Sequence, residues 1–208
     1  MDIKQISLPC DIVLLPASDL AQKALAISRE LQQYGGLFSL NDNGPFPHAS
    51  LYMTQLNEAD LDKVKALLAD IAAKTPVQHL IATGYYQEER YIDPNYDRTP
   101  DLARLQMTVI DAVNPIREGL RSKDQARLAT TTGIAHDNLE KYGYRGVGEL
   151  FRPHITLTRF ADEITLDVSL LPPASTFSGD FVALGLFEMG DNGTCIREIA
   201  RFELRGDA

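Results

Sequence analysis

Apolar and polar residues follow two periods along this chain, one typical of strands and one typical of helices. In the first half, short apolar runs rich in Val, Ile, Leu, Thr and Tyr predict strands at Cys10–Pro16, Leu37–Leu40 and Ala49–Leu56, and a strand pair at Val77–Tyr91. Apolar positions three and four residues apart predict two helices between them. The first helix is predicted to begin with Ser18 as its N-cap and to end at Gly35-Gly36. The second is predicted to begin with Asn57 as its N-cap and to end at Thr75-Pro76.

The middle of the chain is predicted to be helical. Thr99 and Pro100 combine an N-cap residue with a proline in the first turn, and they open a helix that we expect to reach about Ser122 with a kink at Pro115. A second helix is predicted over 123–141 and ends at the glycines that follow it.

Two short stretches of the chain are nearly alike: "FPHASLY" at Phe46–Tyr52 and "RPHITLT" at Arg152–Thr158. Each is followed further along by a predicted strand pair, Val77–Tyr91 in the first case and Phe177–Leu204 in the second. The second pair has the turn "GDNG" at its centre, a good hairpin signal. Internal duplication explains this order, so we predict an α+β fold of two similar lobes with a cleft between them.

Residues two apart in a strand point to the same face, which gives each near-repeat a polar side and a core side. The residues expected on the polar side are His48, Ser50 and Tyr52 in the first copy, and His154, Thr156 and Thr158 in the second. Each copy therefore offers an imidazole beside a hydroxyl on a rigid element.

Two imidazoles that converge on one cleft suit phosphate-ester chemistry. One neutral histidine can take a proton from the attacking water while the other, protonated, gives one to the leaving oxygen. The hydroxyls of Ser50 and Thr156 can donate hydrogen bonds to the phosphate oxygens where charge grows. This chemistry needs neither a metal ion nor another cofactor.

The alternative interpretation is that each His-x-(Ser/Thr) unit is an ordinary polar strand face. The chain has four histidines, and His48 and His154 both stand in a Pro-His-x-(Ser/Thr)-Leu context. A duplicated core fragment would repeat the leucine, but it would not need to keep imidazole and hydroxyl on the opposite face. His79 and His136 lack a repeated context, which favours the functional interpretation for the other two.

The charge of the chain argues against one class of partner. Its 208 residues include 20 Lys and Arg against 29 Asp and Glu, a net charge of −9 spread along the sequence. Because long nucleic acids are bound by many cationic side chains, we expect no long RNA or DNA partner, whereas a small anionic ligand fits.

The sequence predicts one soluble cytoplasmic domain over residues 1–208, with 44% hydrophobic residues to form its core. The start of the chain lacks a basic leader with an apolar run and a cleavage site, and no apolar run is long enough to span a membrane. Cys10 and Cys195 lie far apart in strand-like stretches, so we expect two buried reduced thiols rather than a disulfide or a zinc site.

The two motifs resemble those of a known superfamily. "FPHASLYM" and "FRPHITLTRF" are similar to the paired HxTx motifs of the 2H (two-histidine) phosphoesterases, which include bacterial 2′-5′ RNA ligases and RNA 2′,3′-cyclic phosphodiesterases. The resemblance covers essentially the whole chain. It implies that His48 and His154 are the acid/base pair and that Ser50 and Thr156 hold the phosphate. Ser50 stands where threonine is common in the family, and "LYMTQL" also departs from its pattern, which leaves subgroup and substrate open.

Other residues could contact a substrate, each with an ordinary structural alternative. Arg152 precedes His154 by two residues and could pair with phosphate or form a surface salt bridge, and Tyr52 could stack on a base or simply be half-buried. Tyr144 and Arg145 lie in the glycine-rich loop "GYRGVG" and could close over a nucleotide. The remaining stacking candidates, for which core packing is the main alternative, are Tyr85, Tyr86 and Tyr91.

We therefore predict a metal-independent phosphodiesterase that hydrolyses a small nucleotide or an RNA end. The preferred substrate is a 2′,3′-cyclic phosphate, and the alternative linkage is 2′-5′. A rival function is a binding module that recognises the same ligand without turning it over, and a purely structural partner protein would leave the repeated motif unexplained.

Overall fold

A computed structural model describes residues 6–206 of the chain. Its strands are β1 Ser7–Pro16, β2 Ala49–Asn57, β3 Gln78–Leu80, β4 Ala82–Glu88, β5 Tyr91–Tyr96, β6 Thr158–Arg159, β7 Gly179–Met189 and β8 Cys195–Glu203. Its α-helices are α1 Ser18–Glu30, α2 Leu61–Lys74, α3 Pro100–Val113, α4 Ser122–Leu128 and α5 Gly133–Tyr142. The elements therefore form an α+β fold, as the hydrophobic pattern predicts.

The strands form two antiparallel sheets, but each sheet draws on both halves of the chain. The larger sheet has the order β2-β1-β7, and β3 and β8 both pair with β7. The smaller sheet has the order β4-β5-β6. The first motif strand thus shares a sheet with the late hairpin β7–β8, and the second motif adjoins the early hairpin β4–β5. The order along the chain, in which each motif is followed by a strand pair, therefore differs from the pairing in space.

The predicted strand at Leu37–Leu40 is an extended segment outside both sheets. The Leu37 N–H donates to the Arg159 carbonyl, and the Leu40 N–H donates to the Ser28 hydroxyl at 2.8 Å. The Phe38 carbonyl accepts from the side chains of Gln32 and Thr158. Side chains thus satisfy the Phe38 carbonyl and the Leu40 N–H, two backbone groups that a strand ladder would otherwise use.

The central helices are shorter than their apolar pattern predicts. Thr99 caps α3 by accepting from the Leu102 N–H at 3.2 Å, as expected, but α3 ends at Val113 instead of bending at Pro115. Pro115 has no N–H to donate to the preceding turn, so the α-helical hydrogen bonds stop there and the chain continues as a 3-10 turn over Asn114–Ile116.

The predicted helix over 123–141 is two helices, α4 and α5, joined by residues 129–132. The hydroxyls of Thr130 and Thr131 both donate to the Arg127 carbonyl, and Gly133 then takes a positive φ of 64°. The first helix of the chain also starts differently, because Ala17 rather than Ser18 occupies its N-cap position.

The main hydrophobic core lies on one face of the larger sheet, where α2 and α3 pack against β2, β7 and β8. The opposite face carries a smaller cluster, formed by Val13, Leu15, Ala183, Phe187 and Cys195 with Phe46 packed against it. Between residues 6 and 206 every helix is too short or too polar to cross a lipid bilayer.

Candidate active site

A cavity of about 930 Å³ is lined by residues of both sheets. Both sequence-predicted histidines line it, together with Ser50, Thr156 and Arg152. His48 directly precedes β2, and His154 forms a bridge with Asn95 on β5, ahead of the short strand β6. Each motif thus lies beside a hairpin from the other half of the chain, and this pairing brings the two motifs to one cavity.

Both imidazoles are held by the same local hydrogen bond. His48 Nδ1 lies 2.7 Å from the Phe46 carbonyl oxygen, and His154 Nδ1 lies 2.7 Å from the Arg152 carbonyl oxygen. A carbonyl only accepts, so in each ring the Nδ1–H donates, and a neutral ring then carries its lone pair on Nε2. Both histidines thus keep Nε2 as the nitrogen available to a ligand.

A buried carboxylate accompanies His48. Asp11 on β1 is fully buried, and its Oδ2 lies 3.7 Å from His48 Nε2. Burial raises the pKa of Asp11, while a positive charge on His48 and the hydrogen bond from Ser50 lower it. A charge on His48 would therefore stabilise the ionised form of Asp11, which burial opposes.

A second buried carboxylate, Asp93, accompanies His154. Asp93 is 1% exposed and accepts from Arg152 Nη2 at 2.9 Å, while the same guanidinium lies 4.2 Å from the Tyr86 ring centre. Burial lowers the pKa of His154 below its ordinary value of 6.5; Asp93 opposes this effect and Arg152 adds to it. His154 is consequently the imidazole that its surroundings keep neutral.

The two motif hydroxyls differ in their partners. The Ser50 hydroxyl donates to Asp11 Oδ2 at 2.6 Å, so its hydrogen is engaged within the protein. Thr156 is half-buried in the cavity wall, and no hydrogen bond among residues 6–206 involves its hydroxyl. Thr158, expected on the same face, is fully buried and donates to the Phe38 carbonyl at 2.6 Å.

Tyr52 does not reach the cavity, contrary to the expected alternation along β2. The pairing with β1 slips between Ser50 and Tyr52, where Ile12 opposes Tyr52 and Val13 opposes Ser50. This is a β-bulge, in which β2 has one residue more than β1 between the two pairs. As a result, Leu51 and Tyr52 both lie in the main core. The Tyr52 hydroxyl oxygen lies 2.7 Å from the Tyr142 carbonyl oxygen and 2.9 Å from Asn114 Oδ1, so its one hydrogen is shared between these two acceptors.

Replacing Tyr52 with phenylalanine should therefore lower stability and leave ligand binding intact. Removing a buried hydroxyl that serves two acceptors is expected to reduce the free energy of unfolding by about 1–3 kcal/mol. Urea denaturation measures this loss, and Tyr34→Phe, at an exposed tyrosine, is the matched control. A Tyr52→Phe variant with unchanged stability and a raised KM would contradict this prediction and indicate that Tyr52 contacts the substrate.

The other aromatic and basic candidates divide between cavity and core. Tyr144 and Arg145 line the cavity as expected; Arg145 Nη2 lies 3.4 Å from Glu89. Tyr86 and Tyr91 also line it, whereas Tyr85 packs edge-on against the core residue Phe177. Glu89 and Arg90 form the β4–β5 turn with positive φ angles of 49° and 71°, which sets Glu89 at the cavity rim.

Both cysteines are buried free thiols, as expected, but one of them lies close to the histidine site. Ligand atoms of Asp11, His48 and Cys195 all lie within 4.8 Å of one another. These three residues have donor types that zinc accepts, although burial raises the pKa of the Cys195 thiol well above its ordinary value.

Several residues of the site were not predicted from the sequence. Asp11 and Asp93, the carboxylates beside the two histidines, each lie between buried apolar neighbours in a strand, and an acid at such a position is a signal that could have identified them. The basic residues of the cavity wall at α4 were also missed, because nothing local distinguishes them from an exposed helix face. They are Arg121, Lys123 and Arg127.

A family profile described as "Protein of unknown function (DUF1045)" matches residues 52–170, more than half of the chain. The chain belongs to the DUF1045 family. The segment matched to DUF1045 contains His154 and Thr156, whereas His48 and Ser50 lie just before it. No curated protein matches the chain by sequence.

Solved structures resemble this DUF1045 protein over nearly its whole length. TT0787 of Thermus thermophilus is 17% identical with a TM-score of 0.63, covering 97% of this chain and 100% of its own. A structure named only as a phosphoesterase is 16% identical with a TM-score of 0.61, covering 96% and 99%. LigT of E. coli, complexed with NADP+, is 15% identical with a TM-score of 0.60, covering 96% and 99%. The chain therefore has the same two-lobed, LigT-like fold as these structures.

Proposed function

We propose that this protein is a metal-independent phosphodiesterase in which His48 and His154 act as the acid/base pair. One observation carries the proposal: two imidazoles from separate motifs line one cavity, and in each the Nδ1 is held by the carbonyl two residues earlier, which leaves Nε2 as the nitrogen that can exchange a proton with a ligand. Both halves of the chain contribute to this arrangement, so residues 1–208 act as one catalytic domain.

The surroundings of the two rings assign their roles. Burial holds the pKa of His154 below its ordinary value, so His154 is neutral at pH 7 and accepts a proton from the attacking water. With His154 as the base, His48 is left as the acid, and its Nε2 lies 3.7 Å from Asp11 Oδ2. Water attacks phosphorus, the bond to a ribose oxygen breaks, and His48 protonates that oxygen as it leaves.

The hydroxyls hold the phosphate during this step. Thr156 donates to one non-bridging phosphate oxygen. The Ser50 hydroxyl rotates, so that it donates to a second non-bridging oxygen instead of to Asp11. The Arg152 guanidinium, fixed by Asp93 and Asn95, adds a positive charge beside His154.

The proposed substrate is a small nucleotide or a short RNA end with a 2′,3′-cyclic phosphate. Two opposed imidazoles suit in-line attack by water with departure of a ribose oxygen, and a 2′-5′ linkage is the alternative. Structures of E. coli LigT with 3′-AMP, with ATP and with phosphate support a phosphorylated nucleotide as the ligand class. The net charge of −9 favours short substrates over long RNA.

The pH dependence of turnover tests the proposed pair. The base must be neutral, and since the pKa of His154 lies below 6.5, kcat/KM should rise with pH along a limb centred below pH 6.5. Activity should fall again at alkaline pH, when the acid loses its proton. The profile is measured with a chelator present. A flat profile, or an acid limb centred above pH 6.5, would contradict the assignment of His154 as the base.

A further inference from the structure

One wall of the cavity holds more positive charge than its carboxylates balance. Arg121 Nη2 lies 2.5 Å from Asp124 Oδ2, and Arg127 Nη1 lies 3.5 Å from Asp124 Oδ1, so two guanidinium groups share one carboxylate. Lys123 lies between them in sequence and lines the same cavity. We call Arg121, Lys123 and Arg127 the basic wall.

Lys123 is the cation of the basic wall that lacks a partner. Within residues 6–206, no carboxylate oxygen lies within 4.0 Å of its ammonium nitrogen. Partial burial lowers the pKa of Lys123, and the charges of Arg127, Arg159 and Arg121 lower it further. These neighbours repel the ammonium group, and an anion placed among them would relieve that repulsion.

The charges that act most strongly on Lys123 are mainly positive, namely Arg127, Arg159 and Arg121 against Glu89. Glu89 attracts Lys123 but is already engaged by Arg145 at 3.4 Å. Glu88 accepts from the Tyr86 hydroxyl, and Asp191 is exposed at the turn before β8. In a chain of net charge −9, three guanidinium groups against one carboxylate around Lys123 indicate a place for an anion.

The basic wall lies within the same cavity as the two histidines. Arg121 connects the two regions, because its guanidinium lies 5.9 Å from the Tyr144 ring centre and its charge also lowers the pKa of Asp11, beside His48. The cavity volume of about 930 Å³ is at the upper end for small-molecule sites, so one ligand can reach both regions.

We propose that the basic wall is a second anion subsite and that the substrate is a phosphodiester carrying a further phosphate group. In this arrangement the histidines act on the diester, and Arg121, Lys123 and Arg127 bind the other phosphate. The proposal rests on the proposed phosphodiesterase function and narrows its substrate class.

The test compares adenosine 2′,3′-cyclic phosphate with the same compound carrying a 5′-phosphate. We expect the wild type to have a kcat/KM at least about tenfold higher for the 5′-phosphorylated compound, since a charge-assisted hydrogen bond in a cavity has about this effect. In Lys123→Gln the ratio of the two kcat/KM values should fall to near one. Lys63→Gln, at an exposed lysine of α2, should keep the wild-type ratio.

The outcomes separate this proposal from the function on which it rests. Turnover of both compounds without preference, or a preference that survives in Lys123→Gln, would overturn the subsite and leave the phosphodiesterase standing. If neither compound is hydrolysed, calorimetry measures their dissociation constants instead. Tighter binding of the 5′-phosphorylated compound, lost in Lys123→Gln, would support the subsite without the enzyme, and equal affinities would overturn it.

A third compound distinguishes two sources of the second phosphate. A dinucleotide that ends in a 2′,3′-cyclic phosphate carries a diester monoanion where the 5′-phosphorylated nucleotide carries a monoester. Preference for the dinucleotide assigns the subsite to RNA ends, and preference for the monoester assigns it to small phosphorylated nucleotides. If the dinucleotide and adenosine 2′,3′-cyclic phosphate without a 5′-phosphate have equal kcat/KM values, RNA ends are ruled out as the source.

Discussion

Replacing either His48 or His154 with alanine is expected to lower kcat by about 10²–10⁴-fold, the usual contribution of a general acid or base. Each variant removes one of the two proton-transfer groups and leaves the other in place. Because the two imidazoles act together in one displacement, the double variant should fall little below the slower single one. Steady-state hydrolysis of a nucleoside 2′,3′-cyclic phosphate in the presence of a chelator measures these losses.

The chain supplies its own matched controls for these variants. His79 is exposed and pairs with Asp180, and His136 lies on the surface of α5 near Glu140. His79→Ala and His136→Ala should keep kcat within about twofold of the wild type, as expected for surface substitutions. A His48→Ala or His154→Ala variant that is folded and as active as these controls would remove that histidine from the mechanism.

The largest stability effect is expected at Asp124. Its side chain is fully buried and Arg121, its partner, is 9% exposed, so Asp124→Leu leaves a buried guanidinium without its counter-charge. We expect the free energy of unfolding to fall by about 3–5 kcal/mol, because breaking one side of a buried ion pair exposes the full desolvation penalty of the other. Chemical denaturation measures the change.

Two comparisons make this expectation specific to the buried pair. The double variant Arg121→Met, Asp124→Leu should recover most of the lost stability, since it removes both charges together. Asp62→Ala breaks an ion pair whose aspartate side chain is 95% exposed and should cost less than about 1 kcal/mol. Equal losses for Asp62→Ala and Asp124→Leu would contradict the view that burial gives the Asp124 pair its importance.

The helix ends and the hairpin turn could be predicted from short stretches of sequence. Thr99 before Pro100 caps α3, Gly35 ends the first helical segment in the left-handed conformation, and "GDNG" joins β7 to β8. Each of these depends on the conformational preferences of a few consecutive residues. Such preferences act in isolation, so they can be identified without knowledge of the fold.

Long-range pairing was not predictable in the same way. Nothing in β7–β8 or β4–β5 states which motif each hairpin will join, because that choice depends on backbone pairing between residues far apart in sequence. The slip between Ile12 and Val13 is a similar case: it turns Tyr52 into the core, and the alternating pattern of β2 contains no sign of it.

The candidate site was predicted in part. The repeated motif identified His48, Ser50, His154 and Thr156, and all four line one cavity. The supporting groups were harder to find. Asp11 reaches His48 across neighbouring strands, and an environment of this kind appears only when the sheet is assembled.

The most direct test of the central claim is a single assay of the wild-type protein. Purified protein with a chelator is incubated with nucleoside 2′,3′-cyclic phosphates and a 2′-5′ dinucleotide, and phosphorus NMR follows each phosphodiester. We predict conversion of the cyclic phosphate to a monoester, undiminished by the chelator. No conversion of either linkage by the folded protein, or conversion only after a divalent metal is restored, would contradict a metal-independent two-histidine phosphodiesterase.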